Sequence, residues 1–118
     1  IFYSSYRPTN LDEFKNKNLL AIAGIANPIN FFNLIEKNNL KIKERLIFPD
    51  HYTFSIKEIK KIIHDAKNKN LHIIMTEKDF YKTKHFNFQE LKFLKVSLEI
   101  NEKEKFLKKI YELYNQKF

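Results

Sequence analysis

The stretch LLAIAGI, residues 19–25, decides the fold, because it is a continuous apolar run that a single glycine interrupts near its end. Such a run is typical of a strand buried on both faces of a parallel sheet. The next segment, NPINFFNLIEKNN at 27–39, predicts a helix with Asn27 at its N-cap and Pro28 at its first position. Its inward face is predicted to carry Ile29, Phe32 and Ile35.

Strand and helix patterns then alternate along the chain. LKIKERLIFP at 40–49 predicts a second strand, and SIKEIKKIIHDAKNK at 55–69 predicts a helix that begins with a capping box of Ser55 and Glu58. The inward residues predicted for this helix are Ile56, Ile59, Ile62, Ile63 and Ala66.

The remaining segments continue the alternation. LHIIMT at 71–76 predicts a third buried strand, and the TEKD that begins at Thr76 resembles a capped helix start. FLKVSLEI at 93–100 predicts a fourth strand, and residues 1–18 an extended segment at an edge or between domains. A final amphipathic helix is predicted on Phe106, Leu107, Ile110, Leu113 and Tyr114.

This order predicts an α/β fold, a three-layer sandwich with a mostly parallel central sheet of about four to five strands and helices on both faces. The length of 118 residues fits one domain, 1–118. No stretch reaches the roughly 18 to 20 apolar residues of a membrane-spanning helix, and the first residues lack a signal-peptide pattern, so we expect a cytoplasmic domain. The absence of cysteine excludes disulfides and thiolate chemistry.

The charge of the chain is strongly positive, with a formal net charge of +8. Only Arg7 and Arg45 of its 22 basic residues are arginine, the residue best suited to phosphate and base recognition. Lysines spread over solvated helix faces explain the charge more simply. We therefore expect no nucleic-acid partner.

The glycine content excludes two kinds of nucleotide site. A phosphate-binding P-loop needs two glycines and the dinucleotide fingerprint three, whereas Gly24 is the only glycine here. Ordinary turns must therefore use asparagine, as at 16–18, 38–39 and 68–70. No metal site is predicted, because the histidines show no metal-ligand spacing; they are His51, His64, His72 and His85.

Polar and special residues follow three of the predicted strands, in AGIANP, FPDH and MTEKD. The carboxyl ends of parallel strands share one edge of a sheet, and ligands bind at that edge in open α/β folds. Two interpretations stay open for Gly24: a tight turn with positive φ, or close approach of the backbone to a ligand.

The side chains at this edge also have simple structural interpretations. Asp50 can cap a turn beside an exposed His51, and Thr76 with Asp79 can cap a helix. If His51 is catalytic, its orienting carboxylate must come from elsewhere, since neighbours in an extended loop point in different directions. Lys78 opposes the helix dipole, which indicates an anion nearby.

Three motifs together, AIAGIANPINFF, RLIFPDHYTFS and IIMTEKDFYK, followed by KVSLEI, resemble in order and spacing the C-terminal domain of the tetraacyldisaccharide 4'-kinase family. That family usually has AGIGNP, FPDHH and TEKDAVK, so Ala26, Tyr52, Phe80 and Tyr81 are departures. The resemblance implies transfer of the γ-phosphate of ATP, with Mg²⁺, to a tetraacylated glucosamine disaccharide at the inner face of the inner membrane.

The resemblance also implies roles. A larger N-terminal P-loop domain, absent from this chain, would hold ATP and Mg²⁺ and supply a catalytic aspartate, and His51 would orient and tune that aspartate. The chain alone would bind no cofactor and be inactive. Edge-loop residues implied to face substrate or phosphate are Gly24, Asn27, Asp50, Thr76, Glu77, Lys78 and Asp79. The alternative from another class is a non-catalytic α/β module that binds an anion or a protein.

Overall fold

The computed structural model describes residues 3–100 of the chain, with the side chains of residues 7–97. The strands are β1 (Tyr3–Pro8), β2 (Asn18–Ala23), β3 (Lys41–Ile47), β4 (His72–Met75) and β5 (Val96–Ile100). The α-helices are α1 (Pro28–Lys37), α2 (Ile56–Asn68) and α3 (Glu77–Thr83), and short 3-10 helices cover Leu11–Glu13 and Lys84–Phe86.

A parallel sheet in the order β3-β2-β4 forms the centre of the fold. The apolar run at 19–25 supplies its middle strand, which pairs with both neighbours. Alternate side chains of β2 point to opposite layers. Leu19 and Ala21 pack with α1 in one core cluster, while Leu20 and Ile22 pack with α2 in the other. The predicted α/β class, with helices on both faces, is confirmed.

The fourth predicted strand does not join this sheet. β5 pairs antiparallel with β1 in a separate two-stranded ribbon, and the parallel sheet has three strands. Only a single parallel bridge, between Met75 and Phe93, joins the segment before β5 to β4. Asn10 explains the redirection, because its side chain donates to Phe93 O and accepts from Lys95 N, both at 2.8 Å, and holds this segment beside the end of β1.

The helix faces are as predicted except in their first turns. Ile29 and Ile56 are 60% and 46% exposed, whereas Phe32, Ile35 and Ile59 are buried. Both exceptions lie where a helix begins, beyond the ends of the strands that could cover them. The predicted capping box of α2 is present, with Glu58 N donating to Ser55 Oγ and Ser55 N donating to Glu58 Oε1.

Asparagines form the turns, as the glycine content predicts. Positive φ occurs at Asn16, Asn39, Asn70 and Asn87, and His51 is the other described residue with this conformation. No helix in the described part of the chain is long and apolar enough to cross a membrane. The predicted final helix lies outside the described residues, and the assignment of 1–118 to one domain stays a prediction.

Candidate active site

The loops that follow β2, β3 and β4 meet at one edge of the parallel sheet. Phe48 N donates to Ala23 O at 2.9 Å and joins the ends of β3 and β2. Gly24 N donates to Asp79 Oδ2 at 2.7 Å and joins the end of β2 to α3. The sequence predicted this convergence. The surface is called the carboxyl edge below, and it comprises residues 24–27, 48–52 and 76–82.

Gly24 is required by close packing and not by its backbone conformation. It does not have positive φ. A Cβ atom here would lie 3.1 Å from Asp79 Oδ1 and 3.5 Å from the carbonyl oxygen of Pro49. The group that approaches the backbone is therefore the protein's own carboxylate. The interpretation of Gly24 as a turn with positive φ is therefore wrong, whereas its place in a loop that faces substrate or phosphate stays a prediction.

Asp79 is a fully buried carboxylate that joins two of the loops. Its Oδ2 accepts from Gly24 N at 2.7 Å and from Thr76 Oγ1 at 2.8 Å, and its own N–H donates to Thr76 Oγ1 at 3.0 Å. The predicted helix cap of Thr76 is thus confirmed. A buried carboxylate is stable only when charged or polar partners satisfy it, and Asp79 has these partners.

Two lysines of α3 contact residues in the loops that follow β2 and β3. Lys82 Nζ is 3.3 Å from Asp79 Oδ1 and 3.4 Å from Gly24 O, and its side chain is 24% exposed. Lys78 Nζ is 3.7 Å from Asp50 Oδ1. The sequence indicated an anion near Lys78, and the carboxylate of Asp50 is one such anion.

His51 is exposed at this edge, with 78% of its side chain accessible. The expectation that Asp50 could not partner it is wrong. His51 has φ of 63°, so the chain turns here and the loop is not extended. As a result, His51 N donates to Asp50 Oδ1 at 3.0 Å, and the ring Nε2 lies 3.6 Å from Asp50 Oδ2.

An aromatic cluster fixes the loop that carries His51. Tyr52 stacks on Phe48 with ring centroids 4.9 Å apart and contacts Phe54 edge-on at 5.2 Å. The Tyr52 hydroxyl donates to Glu58 Oε2, so the loop is also bonded to the first turn of α2. This hydrogen bond raises the pKa of Tyr52 and lowers the pKa of Glu58. Tyr52 was not among the predicted site residues, although an aromatic residue before a capping box is visible in the sequence.

The other two predicted site residues are peripheral. Asn27 is exposed at the N-cap of α1, and its side chain makes no capping hydrogen bond within the described residues. Glu77 is half-buried in the first turn of α3. Neither contacts the pair formed by Asp50 and His51 through any hydrogen bond or ion pair seen in residues 7–97.

The polar groups of the carboxyl edge face either its interior or the solvent. Among the described residues, no group of three or more acidic, histidine or cysteine side chains could hold a metal ion. The one glycine amide at the edge is already bonded to Asp79. What the edge offers outward is an imidazole, the Asp50 carboxylate beside it and the half-buried ammonium groups of Lys78 and Lys82.

Known proteins similar to this chain share one enzyme name. The family model described as Tetraacyldisaccharide-1-P 4'-kinase matches residues 3–115. The tetraacyldisaccharide 4'-kinase of Pelagibacter ubique is 41% identical over 109 residues, which is 92% of this chain and 35% of that protein. The enzyme of the same name from Flavobacterium psychrophilum is also 41% identical, over 92% of this chain and 31% of that protein.

A solved structure shows the same fold. The crystal structure of the "apo" form of LpxK from Aquifex aeolicus in complex with ATP matches 91% of this chain and 31% of that chain, with a TM-score of 0.58 and 23% identity. The chain spans about a third of the length of the curated relatives named above. The match of the family model over nearly all of its residues shows that the chain belongs to the tetraacyldisaccharide-1-P 4'-kinase family.

Proposed function

We propose that this chain forms the smaller lobe of a kinase that transfers the γ-phosphate of ATP to the 4'-hydroxyl of a tetraacylated glucosamine disaccharide 1-phosphate, a step of lipid A biosynthesis. The observation that carries the proposal is the exposed His51, held beside Asp50 at the edge where three motif-bearing loops converge. In open α/β folds this is the edge at which ligands bind.

A second domain is needed to hold the nucleotide. One glycine cannot form a P-loop, and the described residues offer no magnesium site. We therefore propose an N-terminal P-loop domain as the partner that binds ATP and Mg²⁺. Three isoleucines exposed beside the carboxyl edge support a surface that such a domain covers. They are Ile29 in the first turn of α1, Ile47 at the end of β3, and Ile56 in the first turn of α2.

His51 would act on the proton of the attacking hydroxyl. In the reaction the 4'-oxygen forms a bond to the γ-phosphorus, the bond to the β-phosphate oxygen breaks, and the hydroxyl proton must leave. We propose that an aspartate of the partner domain accepts this proton and that the imidazole of His51 orients that aspartate. Positioning of this kind is most of what phosphoryl transfer requires of a protein.

The backbone at His51 supports a functional reason for histidine. Positive φ is unfavourable for most residues, and at four other described positions with this conformation the chain uses asparagine. Histidine is, like asparagine, enriched at positive φ, so this turn can present an imidazole at little conformational cost. The 78% exposure of that side chain leaves the ring accessible to a second domain.

We further propose that the protein acts in the cytoplasm at the inner face of the inner membrane, where its lipid substrate lies. The net charge of +8 supports this location, because lysines near a membrane are attracted to anionic head groups and to a phosphorylated lipid. Nucleic acid is not proposed as a partner, since the basic residues are almost all lysine.

Assays of two forms of the protein test the lobe assignment. The full-length protein, incubated with radiolabelled ATP and the disaccharide lipid, should transfer label to the 4'-position. The 118-residue chain should transfer none and should show no heat of binding with Mg-ATP in isothermal titration. Micromolar binding of Mg-ATP by the chain alone would contradict the proposal and favour an anion-binding module.

A further inference from the structure

We infer that Asp79 is a positioning residue for His51: its buried carboxylate clamps α3 against Gly24 and thereby holds Lys78 against Asp50, the carboxylate that flanks the His51 ring. The inference rests on the proposed function of His51. It changes the role that the sequence suggests for Asp79, from a group that faces substrate to one that faces the interior.

The clamp itself is complete. Asp79 is 0% exposed, and both of its carboxylate oxygens have partners. Oδ2 accepts from Gly24 N and Thr76 Oγ1, and Oδ1 lies within 3.3 Å of Lys82 Nζ. Lys82 Nζ also donates to Gly24 O at 3.4 Å, so α3 is bonded to the end of β2 through the side chains of Asp79 and Lys82. Since Asp79 is fully buried and both oxygens are bonded within the protein, we assign it a positioning role and not direct contact with a substrate.

The clamp reaches His51 through the neighbouring residue. Lys78 precedes Asp79 on α3, and its ammonium lies 3.7 Å from Asp50 Oδ1. The same Oδ1 accepts from His51 N at 3.0 Å, and Oδ2 lies 3.6 Å from the His51 ring. Rotation or withdrawal of α3 would therefore move Lys78 away from Asp50, and Asp50 is the group that sets the turn at His51.

The arrangement requires a carboxylate and not an amide. Gly24 N, Thr76 Oγ1 and Lys82 Nζ are all donors to Asp79. An asparagine here could satisfy the first two with its oxygen, but its NH₂ group would then face the Lys82 ammonium. Asp79→Asn therefore keeps the volume of the side chain but weakens the contact with Lys82. This makes it the substitution that tests the role of the carboxylate.

A double-mutant cycle in the full-length kinase tests the inference. Asp79→Asn should lower kcat by about tenfold, the scale expected when a catalytic group is misplaced, and leave KM for ATP unchanged. In a His51→Asn background the same substitution should lower kcat no further, because Asp79 acts through His51. Equal losses of kcat in both backgrounds would overturn the inference.

Thr83→Val is the matched control. Thr83 is also fully buried on α3, and its Oγ1 donates to Phe80 O at 3.1 Å and to Asp79 O at 3.3 Å, both backbone oxygens and not the Asp79 carboxylate. It should lower the melting temperature and leave kcat within about twofold of the parent, because the contacts of the Asp79 carboxylate stay in place. A loss of kcat equal to that of Asp79→Asn would show a general effect of α3 stability and would overturn the inference.

A spectroscopic measurement separates this inference from the proposed function. In the full-length protein, the amide and ring signals of His51 should shift in Asp79→Asn and in Lys78→Met, and stay in place in Thr83→Val. Lys78→Met keeps the test available if Asp79→Asn does not fold. Unmoved His51 signals would overturn the positioning role, whereas unchanged turnover of His51→Asn would overturn the proposed function and leave the structural coupling standing.

Discussion

The two acidic turns of the carboxyl edge, TEKD at 76–79 and FPDH at 48–51, are opposites in the structure although both follow a parallel strand. Asp79 is fully buried with three side-chain and backbone donors around it. Asp50 is 34% exposed, beside a His51 that is 78% exposed. An acid after a strand therefore does not by itself indicate a residue that faces a ligand.

The position of each acid relative to the next helix explains the difference. Asp79 is the third residue of α3, so its carboxylate points back toward the helix start, where Thr76 caps the helix and Gly24 passes close by. Asp50 precedes its helix by six residues, since α2 begins at Ile56. It therefore bonds within its own turn, contacts Lys78 and stays partly exposed.

The largest effect on stability is expected from removal of the buried carboxylate of Asp79. Asp79→Ala leaves the Gly24 N–H and the Lys82 ammonium without their partner, and should lower the free energy of unfolding by about 3 kcal/mol. Urea denaturation measures this. Asp50→Ala, the outward counterpart, should stay within about 0.5 kcal/mol of the parent. Similar losses for the two variants would break the comparison.

The next effect concerns the close approach at Gly24. Gly24→Ala places a Cβ 3.1 Å from a carboxylate oxygen that is fixed by other bonds, and should destabilise the protein by about 1.5 kcal/mol. In an Asp79→Ala background the loss should shrink, because the crowding atom is gone. An undiminished loss would show that another contact, such as the Pro49 carbonyl, requires the glycine.

A smaller effect on stability, which depends on pH, is expected from the hydrogen bond that holds the FPDH turn against α2. The Tyr52 to Glu58 hydrogen bond lowers the pKa of Glu58 below 4.5 and raises the pKa of Tyr52 above 10.0. Its stabilisation is lost as pH falls through the folded-state pKa of Glu58 and as pH rises through that of Tyr52. Tyr52→Phe should therefore lower the melting temperature at pH 7, and this loss should shrink as pH falls below 4.5 through the folded-state pKa of Glu58 or rises above 10.0 through that of Tyr52. A difference in melting temperature from the parent that does not vary with pH would contradict this interpretation. Tyr81→Phe, which changes an exposed side chain, is the control.

The smallest effect on stability is expected at His51 itself. His51→Asn retains a residue type that this chain already uses at positive φ, and the lost side chain is exposed. Its free energy of unfolding should stay within about 0.5 kcal/mol of the parent by thermal or urea denaturation. A loss of 2 kcal/mol or more would show a structural role for the ring.

Most of the fold was predictable because it follows from periodicity and turn chemistry. The apolar run at 19–25 gave the central strand, Ser55 and Glu58 gave the start of α2, and the scarcity of glycine predicted asparagine turns. The pairing of β5 with β1 was not predictable from local pattern. It depends on Asn10, which meets residues more than eighty positions away.

The sequence predicts where the candidate site lies in the fold, but not the directions of its side chains. The convergence of three loops follows from parallel strands. The positive φ at His51 and the inward direction of Asp79 depend on the backbone path of each loop and on contacts between residues far apart in sequence. For that reason the sequence did not predict the hydrogen bond between Gly24 and Asp79 or the contact of His51 with Asp50.

The turnover of the full-length kinase carrying His51→Asn tests the central claim most directly. At saturating ATP and disaccharide lipid, kcat should fall by roughly a hundredfold, the usual scale for losing a group that assists proton transfer, with KM for ATP unchanged. His64→Asn, on the exposed surface of α2, should leave kcat within about twofold of the parent, as for other surface sites. A His51→Asn enzyme with the same kcat as the His64→Asn enzyme would contradict the claim that this chain contributes to phosphoryl transfer through the FPDH turn.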